Sequence, residues 1–201
     1  IMSILENFYP DVKTALKFDN PFQLLIATIL SAQTTDERVN KVTEKLFKRF
    51  KTPSDFASAN LEEIMDYIKS VNFYRNKAKN IKKLSEILVK EYKGKVPDKM
   101  EGLLKLPGVA RKTANVVLSQ AFRKNEGIVV DTHVKRVANR LGLTENTDPE
   151  KIENDLMKIV PKDHWIDFPF RLILFGRNIC KAKNPECKNC PLNKICPGKI
   201  E

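Results

Sequence analysis

Four cysteines stand within seventeen residues in the pattern Cys180-x6-Cys187-x2-Cys190-x5-Cys196, and the 179 residues before them contain none. Thiols gathered in one short segment point to a metal site rather than to the disulfide framework of a secreted protein. A zinc ribbon or finger pairs two knuckles across a longer loop, whereas this pattern has one Cys-x2-Cys and two unequal gaps. A compact loop round a [4Fe-4S] cube fits better, because cubane clusters take four cysteine thiolates. On spacing alone, zinc and free or bridged thiols stay open.

Two more residues can do chemistry, an amine and a carboxylate. Lys112 falls in the first turn of a helix expected from the stripe Ala110, Ala114, Val117 and Ala121. The helix dipole there works against an ammonium, and a neutral amine is a nucleophile that forms Schiff bases with carbonyl carbons. Asp131 follows the apolar run Ile128-Val129-Val130 and opens a helix with Val134, Val137 and Leu141 on its inner face. A carboxylate there can stabilise a cationic sugar or assist proton transfer. Plainer roles compete with both. A lysine in a first turn is most often only solvated, and an aspartate before an apolar-periodic run is most often an N-cap.

These residues need elements to hold them. Leu106-Pro107-Gly108-Val109 reads as a tight turn between two helices, with Pro107 presetting φ and Gly108 supplying a conformation other residues avoid. The amides of Gly108, Val109 and Ala110 then lie at the positive end of the second helix, a ready site for a phosphate. Upstream, Asn20-Pro21 is a cap followed by proline at the first helical position, and Phe22–Leu30 is apolar nearly all round, so this helix should be buried. It ends in Ser31-Ala32-Gln33-Thr34-Thr35-Asp36, an ordinary polar turn by default. Thr34 and Glu37 make a capping box for the next helix, whose core stripe is Val39, Val42, Leu46 and Phe50. Thr52 and Asn60 start two short helices.

Val71–Arg75 is a connector into a helix with Ala78, Ile81, Leu84, Leu88 and Tyr92 on one side, and Lys77, Lys79, Lys82 and Lys83 read as its solvated face. Ser3 and Glu6 suggest a capping box near the start, and Asp148-Pro149 opens a late helix. Trp165 and Phe168–Phe175 read as core. No strand alternation is convincing, so about ten helices with short links give an all-α chain.

The chain carries a formal charge of +11, with 36 Lys and Arg against 25 Asp and Glu and a pI near 9.5. Such a balance suits a polyanion, either nucleic acid or an anionic membrane surface. No run of 18 apolar residues and no secretory signal is read, so a cytoplasmic, nucleoid-associated protein is expected.

L-P-G-V-A-R-K-T-A-N-V-V-L followed by V-D-T-H resembles the helix-hairpin-helix DNA glycosylases, in particular the endonuclease III family, and the 6-2-5 cysteine spacing matches the cluster loop of that family. The resemblance covers nearly the whole chain. It implies two helical lobes flanking a DNA-binding groove. One is a six-helix barrel over residues 15–124; the other joins 1–14 to 125–201 and holds a [4Fe-4S] cluster on Cys180, Cys187, Cys190 and Cys196. It implies a bifunctional glycosylase and abasic-site lyase acting on oxidised pyrimidines in double-stranded DNA, as a monomer. Lys112 would attack the sugar C1′ and Asp131 would assist it across the groove.

By the same resemblance Gln33 would fill the space left by a flipped base and Phe73 would be an apolar wedge, while Ser31, Asp36 and His133 would line the lesion pocket. Gly108, Val109 and Ala110 would hold a phosphate, and Lys181 and Lys183 would face the DNA backbone. Three positions depart from the family: Ala110 stands where a second glycine is usual, and Asn72-Phe73 where glycine and leucine are usual. An adenine-mismatch glycosylase of the same fold typically has serine at the lysine position, so Lys112 argues for the lyase. A non-catalytic DNA-binding module stapled by a metal is the alternative of a different class.

Overall fold

The structure is a computed structural model describing residues 1–199. Its described residues form eleven α-helices and three short 3-10 turns, with no strand. The chain divides into two compact units, Ala15–Arg123 and Ile1–Thr14 with the chain from Lys124 onward. Lys124, which the sequence reading puts at the end of the barrel lobe, groups with the second unit.

The Ala15–Arg123 unit begins with α2 (Pro21–Ser31), which follows α1 (Met2–Phe8) of the other unit. Asn20 caps α2 by accepting the Gln23 amide at 3.0 Å, Pro21 sits at its start, and every residue from Phe22 to Leu30 is buried. The remaining helices are α3 (Asp36–Arg49), α4 (Pro53–Ser58), α5 (Leu61–Ile68), α6 (Tyr74–Tyr92), α7 (Met100–Leu104) and α8 (Arg111–Ala121). α2 packs on α3, α6 and α8, while α6 packs on α4 and α5. Val39, Val42 and Leu46 form the inner stripe of α3, and Phe50 closes it. Phe50 and Phe56 stack with centroids 4.8 Å apart, and Phe22 meets Phe56 edge-on at 5.6 Å. The Thr52–Asp55 capping box of α4 is complete in both directions.

The cap of α3 differs from expectation. Thr35, not Thr34, accepts the Arg38 amide, at 3.3 Å. The Thr34 hydroxyl instead accepts the amide of Asn72 at 3.2 Å. Two adjacent threonines offer two frames for the same cap, and a contact 38 residues away decides between them. The lysine face of α6 also differs. Lys79 and Lys83 are exposed, but Lys77 is buried, and Lys82 donates to the carbonyls of Ala57 and Ala59 at 2.7 and 2.8 Å. Lys82 thus satisfies orphan acceptors at the end of α4.

The second unit contains α1, α9 (Thr132–Arg140), α10 (Pro149–Ile159) and α11 (Phe168–Asn178), with α11 packed on both α9 and α1. Helix α1 starts at Met2 without a side-chain cap, so Ser3 and Glu6 do not form the expected box. The Glu6 carboxylate lies 2.9 Å from His164 Nδ1 and 3.3 Å from Arg171 Nη1 instead. Buried Arg171 also donates from Nε to the Tyr9 carbonyl at 3.1 Å, closing the end of α1. Asp148 caps α10 through the amides of Glu150 and Lys151. Phe168, Phe170, Leu172, Ile173 and Phe175 are core, whereas Trp165 is half-buried and donates from Nε1 to the Val160 carbonyl at 2.8 Å.

Candidate active site and metal centre

The hairpin between α7 and α8 is built on two buried anchors, Leu106 and Val109. The Val109 amide donates to the Leu106 carbonyl at 3.1 Å and closes the turn. Gly108 has φ +78°, and a Cβ there would come 3.0 Å from Asn80 Nδ2. The backbone angle therefore favours glycine, and a Cβ would also press on the Asn80 side chain. Ala110, at φ −91°, lies in extended backbone and needs no glycine. It is the N-cap of α8 and makes no side-chain capping bond, which leaves the positive end of that helix to an anion. Lys112 is exposed at the second position of α8.

The same unit holds Ser31, Gln33, Asp36 and Phe73. Gln33 and Phe73 are both exposed and both left-handed, at φ 55° and 57°. Asn72 joins their loops: its side-chain Nδ2 donates to the Gln33 carbonyl in a short contact, beside the bond from its amide to Thr34. Ser31 donates back to the Thr28 carbonyl at 2.8 Å. Asp36 opens α3 and lines a cavity with Asp19, Gln23, Asn40, Thr43 and Phe47, among others; Ser31 does not line it.

The other unit holds Asp131, His133 and the cysteines. Asp131 is half-buried and is the N-cap of α9, its Oδ1 accepting the Val134 amide at 2.8 Å. The cap uses one carboxylate oxygen, and a carboxylate has two. His133 Nδ1 lies 3.2 Å from Arg136 Nη2. Arg136 in turn donates to the carbonyls of Gly176, at 2.8 Å, and Cys180, at 3.1 Å.

The four cysteines are half-buried and line one pocket with Arg140, Leu141 and Phe175. Among the described residues, no three metal-ligating side chains converge as they would on a single ion. Arg140, one turn along α9 from Arg136, organises the loop. Its Nη1 donates to the Lys181 carbonyl at 2.7 Å and lies 3.4 Å from Cys180 Sγ, and its Nη2 donates to Ala182. Its own carbonyl accepts from the Gly198 amide at 3.0 Å and from Cys196 Sγ at 3.4 Å. Burial, and then the other three cysteines, push the Cys190 thiol up from its ordinary value. Four sulfurs in one pocket become thiolates together only if positive charge sits among them, so the donor set suits a metal centre. Lys181 pairs with Glu186 at 2.6 Å, and Lys183 is exposed.

Sequence reasoning gave Asn72 no role, read Lys77 as solvated, and did not single out Arg136 or Arg140. For the arginines a signal existed: a basic pair four residues apart, on the α9 face next to the cysteines.

A glycine-dependent hairpin opening a helix that carries a lysine, with a four-thiol loop in a separate unit, defines a helical protein of the helix-hairpin-helix class. Residues 26–162 match the HhH-GPD superfamily of base excision DNA repair proteins. The chain is 52% identical to endonuclease III of Synechocystis sp. over 98% of its own length and 90% of that protein, and 49% identical to endonuclease III of Bacillus subtilis over 94% and 87%. It superposes with a TM-score of 0.94 on a trapped endonuclease III–DNA covalent intermediate, at 47% identity, covering 98% of this chain and 92% of that one. The chain belongs to the HhH-GPD superfamily and, within it, to the endonuclease III family.

Proposed function

We propose that this chain is a DNA glycosylase and abasic-site lyase that removes oxidised pyrimidines through a lysine Schiff base. The observation that carries this reading is Lys112, exposed one residue into α8 beside an uncapped helix start. A phosphate held at that start brings a deoxyribose to the amine. The relative's covalent intermediate with DNA supports the same chemistry.

Each step follows from residues of this chain. The damaged nucleotide leaves the stack, with Gln33 and Phe73 occupying the gap. The amine of Lys112 bonds to C1′ through its nitrogen lone pair as the glycosidic bond breaks, and the base leaves with the bonding electrons and takes a proton. The C1′–O4′ bond then opens to give the Schiff base. Loss of a C2′ proton expels the 3′ phosphate, and water returns the free amine. Asp131 stabilises the positive charge on the sugar and relays protons, using the oxygen its cap leaves over. Lys181 and Lys183 contact backbone phosphates.

Lys112 distinguishes this reading from glycosylase activity alone. A duplex carrying one oxidised pyrimidine should be cut by the purified chain with no added base or lyase, leaving the unsaturated sugar end of a β-elimination. An intact strand that breaks only after alkali would contradict it.

Cys180, Cys187, Cys190 and Cys196 would hold a [4Fe-4S] cluster, which supplies thiolate–iron bonds that tie together a loop with little core of its own. The purified protein is expected to be brown and to contain about four irons and four labile sulfides per chain. One zinc in a colourless protein would contradict the assignment. Cys190→Ala should lose the iron and lower the melting temperature.

A further inference from the structure

Gln33 and Phe73 hold backbone angles that residues with a Cβ adopt rarely, φ 55° and φ 57°. Such conformations are unfavourable and persist only where their surroundings over-determine them. The surroundings here are two side chains that the proposed chemistry does not use. Asn72 reaches from the α6 side to the Gln33 carbonyl, and its amide to the Thr34 hydroxyl. Lys77, only 6% exposed, places its Nζ 2.7 Å from the Leu30 carbonyl, 2.6 Å from the Ala32 carbonyl and 3.5 Å from Thr34 Oγ1. Its own amide donates to the Phe73 carbonyl at 3.1 Å. The end of α2 and the start of α6 are thereby fastened at two points that bracket Phe73. Burying an ammonium is unfavourable without such acceptors, and burial does push Lys77 below the ordinary lysine range. Meanwhile Phe73 stays 62% exposed, so the fastening presents an apolar residue to solvent.

We propose that Asn72 and Lys77 are positioning residues, which lock the backbones of Gln33 and Phe73 together as one preformed wedge. The inference rests on the reading above that these two residues fill the gap left by an extruded nucleotide. Two loops that had to order themselves during insertion would add their conformational entropy to the barrier for base extrusion. Fastened in advance, they enter the duplex as a unit.

The test compares Asn72→Ala, Lys77→Met, Gln33→Ala and Phe73→Ala by single-turnover excision from a lesion-bearing duplex. A 2-aminopurine next to the lesion reports unstacking in the same reaction. Borohydride trapping on a single-stranded oligonucleotide with a preformed abasic site, where there is no stack to open, is the control. Asn72→Ala should slow both the duplex excision and the fluorescence rise about tenfold, the effect of reordering about one residue. It should leave single-strand trapping at the wild-type level. Combining it with Gln33→Ala should be less than additive, because a wedge missing its glutamine gains less from being fastened. Wild-type duplex rates in Asn72→Ala, with Gln33→Ala and Phe73→Ala slow, would overturn the clasp while leaving the wedge. Wild-type rates in Gln33→Ala and Phe73→Ala would remove the wedge and the clasp with it. If Lys77→Met does not fold, Asn72→Ala carries the test alone.

Discussion

Lys112→Gln should abolish strand cleavage at abasic sites, a loss of at least about 10³-fold as expected when a covalent nucleophile is removed. The side chain is exposed, so its replacement leaves no hole in the core and the melting temperature should stay near that of the wild type. Duplex binding should persist, because the hairpin, its Gly108 turn and the uncapped start of α8 are unchanged. Binding that is intact and cleavage that is absent identify the amine as the reacting group. Loss of both would make Lys112 one more phosphate contact, and cleavage at the wild-type rate would place the nucleophile elsewhere.

Asp131→Asn separates the capping role that the structure shows from the catalytic role proposed above. The residue is the N-cap of α9, and asparagine caps a helix about as well as aspartate. Folding should therefore survive the change with little shift in melting temperature. The charge does not survive it, and base excision should slow by about 10²-fold or more when general acid–base and electrostatic assistance are lost. The comparison of interest is the single-turnover excision rate against thermal stability in the same variant. Slow excision in a stable protein supports the catalytic role. Normal excision would reduce Asp131 to a cap.

Much of this was legible because local chemistry decides it. Asn20-Pro21, Thr52 with Asp55, and Asp148 start helices through bonds within three residues of themselves. Gly108 was legible because a tight turn needs its φ. The cysteines were legible because four donors that must share a pocket lie within one short segment. What the sequence hid is what distant contacts settle. The frame of the α3 cap depends on Asn72 taking the Thr34 hydroxyl, and nothing within either segment announces it. Lysines are read as solvated because they usually are. Yet the long stems of Lys77 and Lys82 let their ammonium groups reach the carbonyls at the ends of α2 and α4. The bond that the Val109 amide makes within the turn was also not read from the sequence.

The Schiff base is the claim on which the rest of the chemistry depends. The wild-type protein, incubated with a duplex carrying one oxidised pyrimidine and reduced with borohydride, should yield a single covalent protein–DNA adduct. Proteolysis and mass spectrometry should locate it on Lys112. The absence of an adduct, or an adduct on another lysine or on the N-terminal amine, would contradict the account.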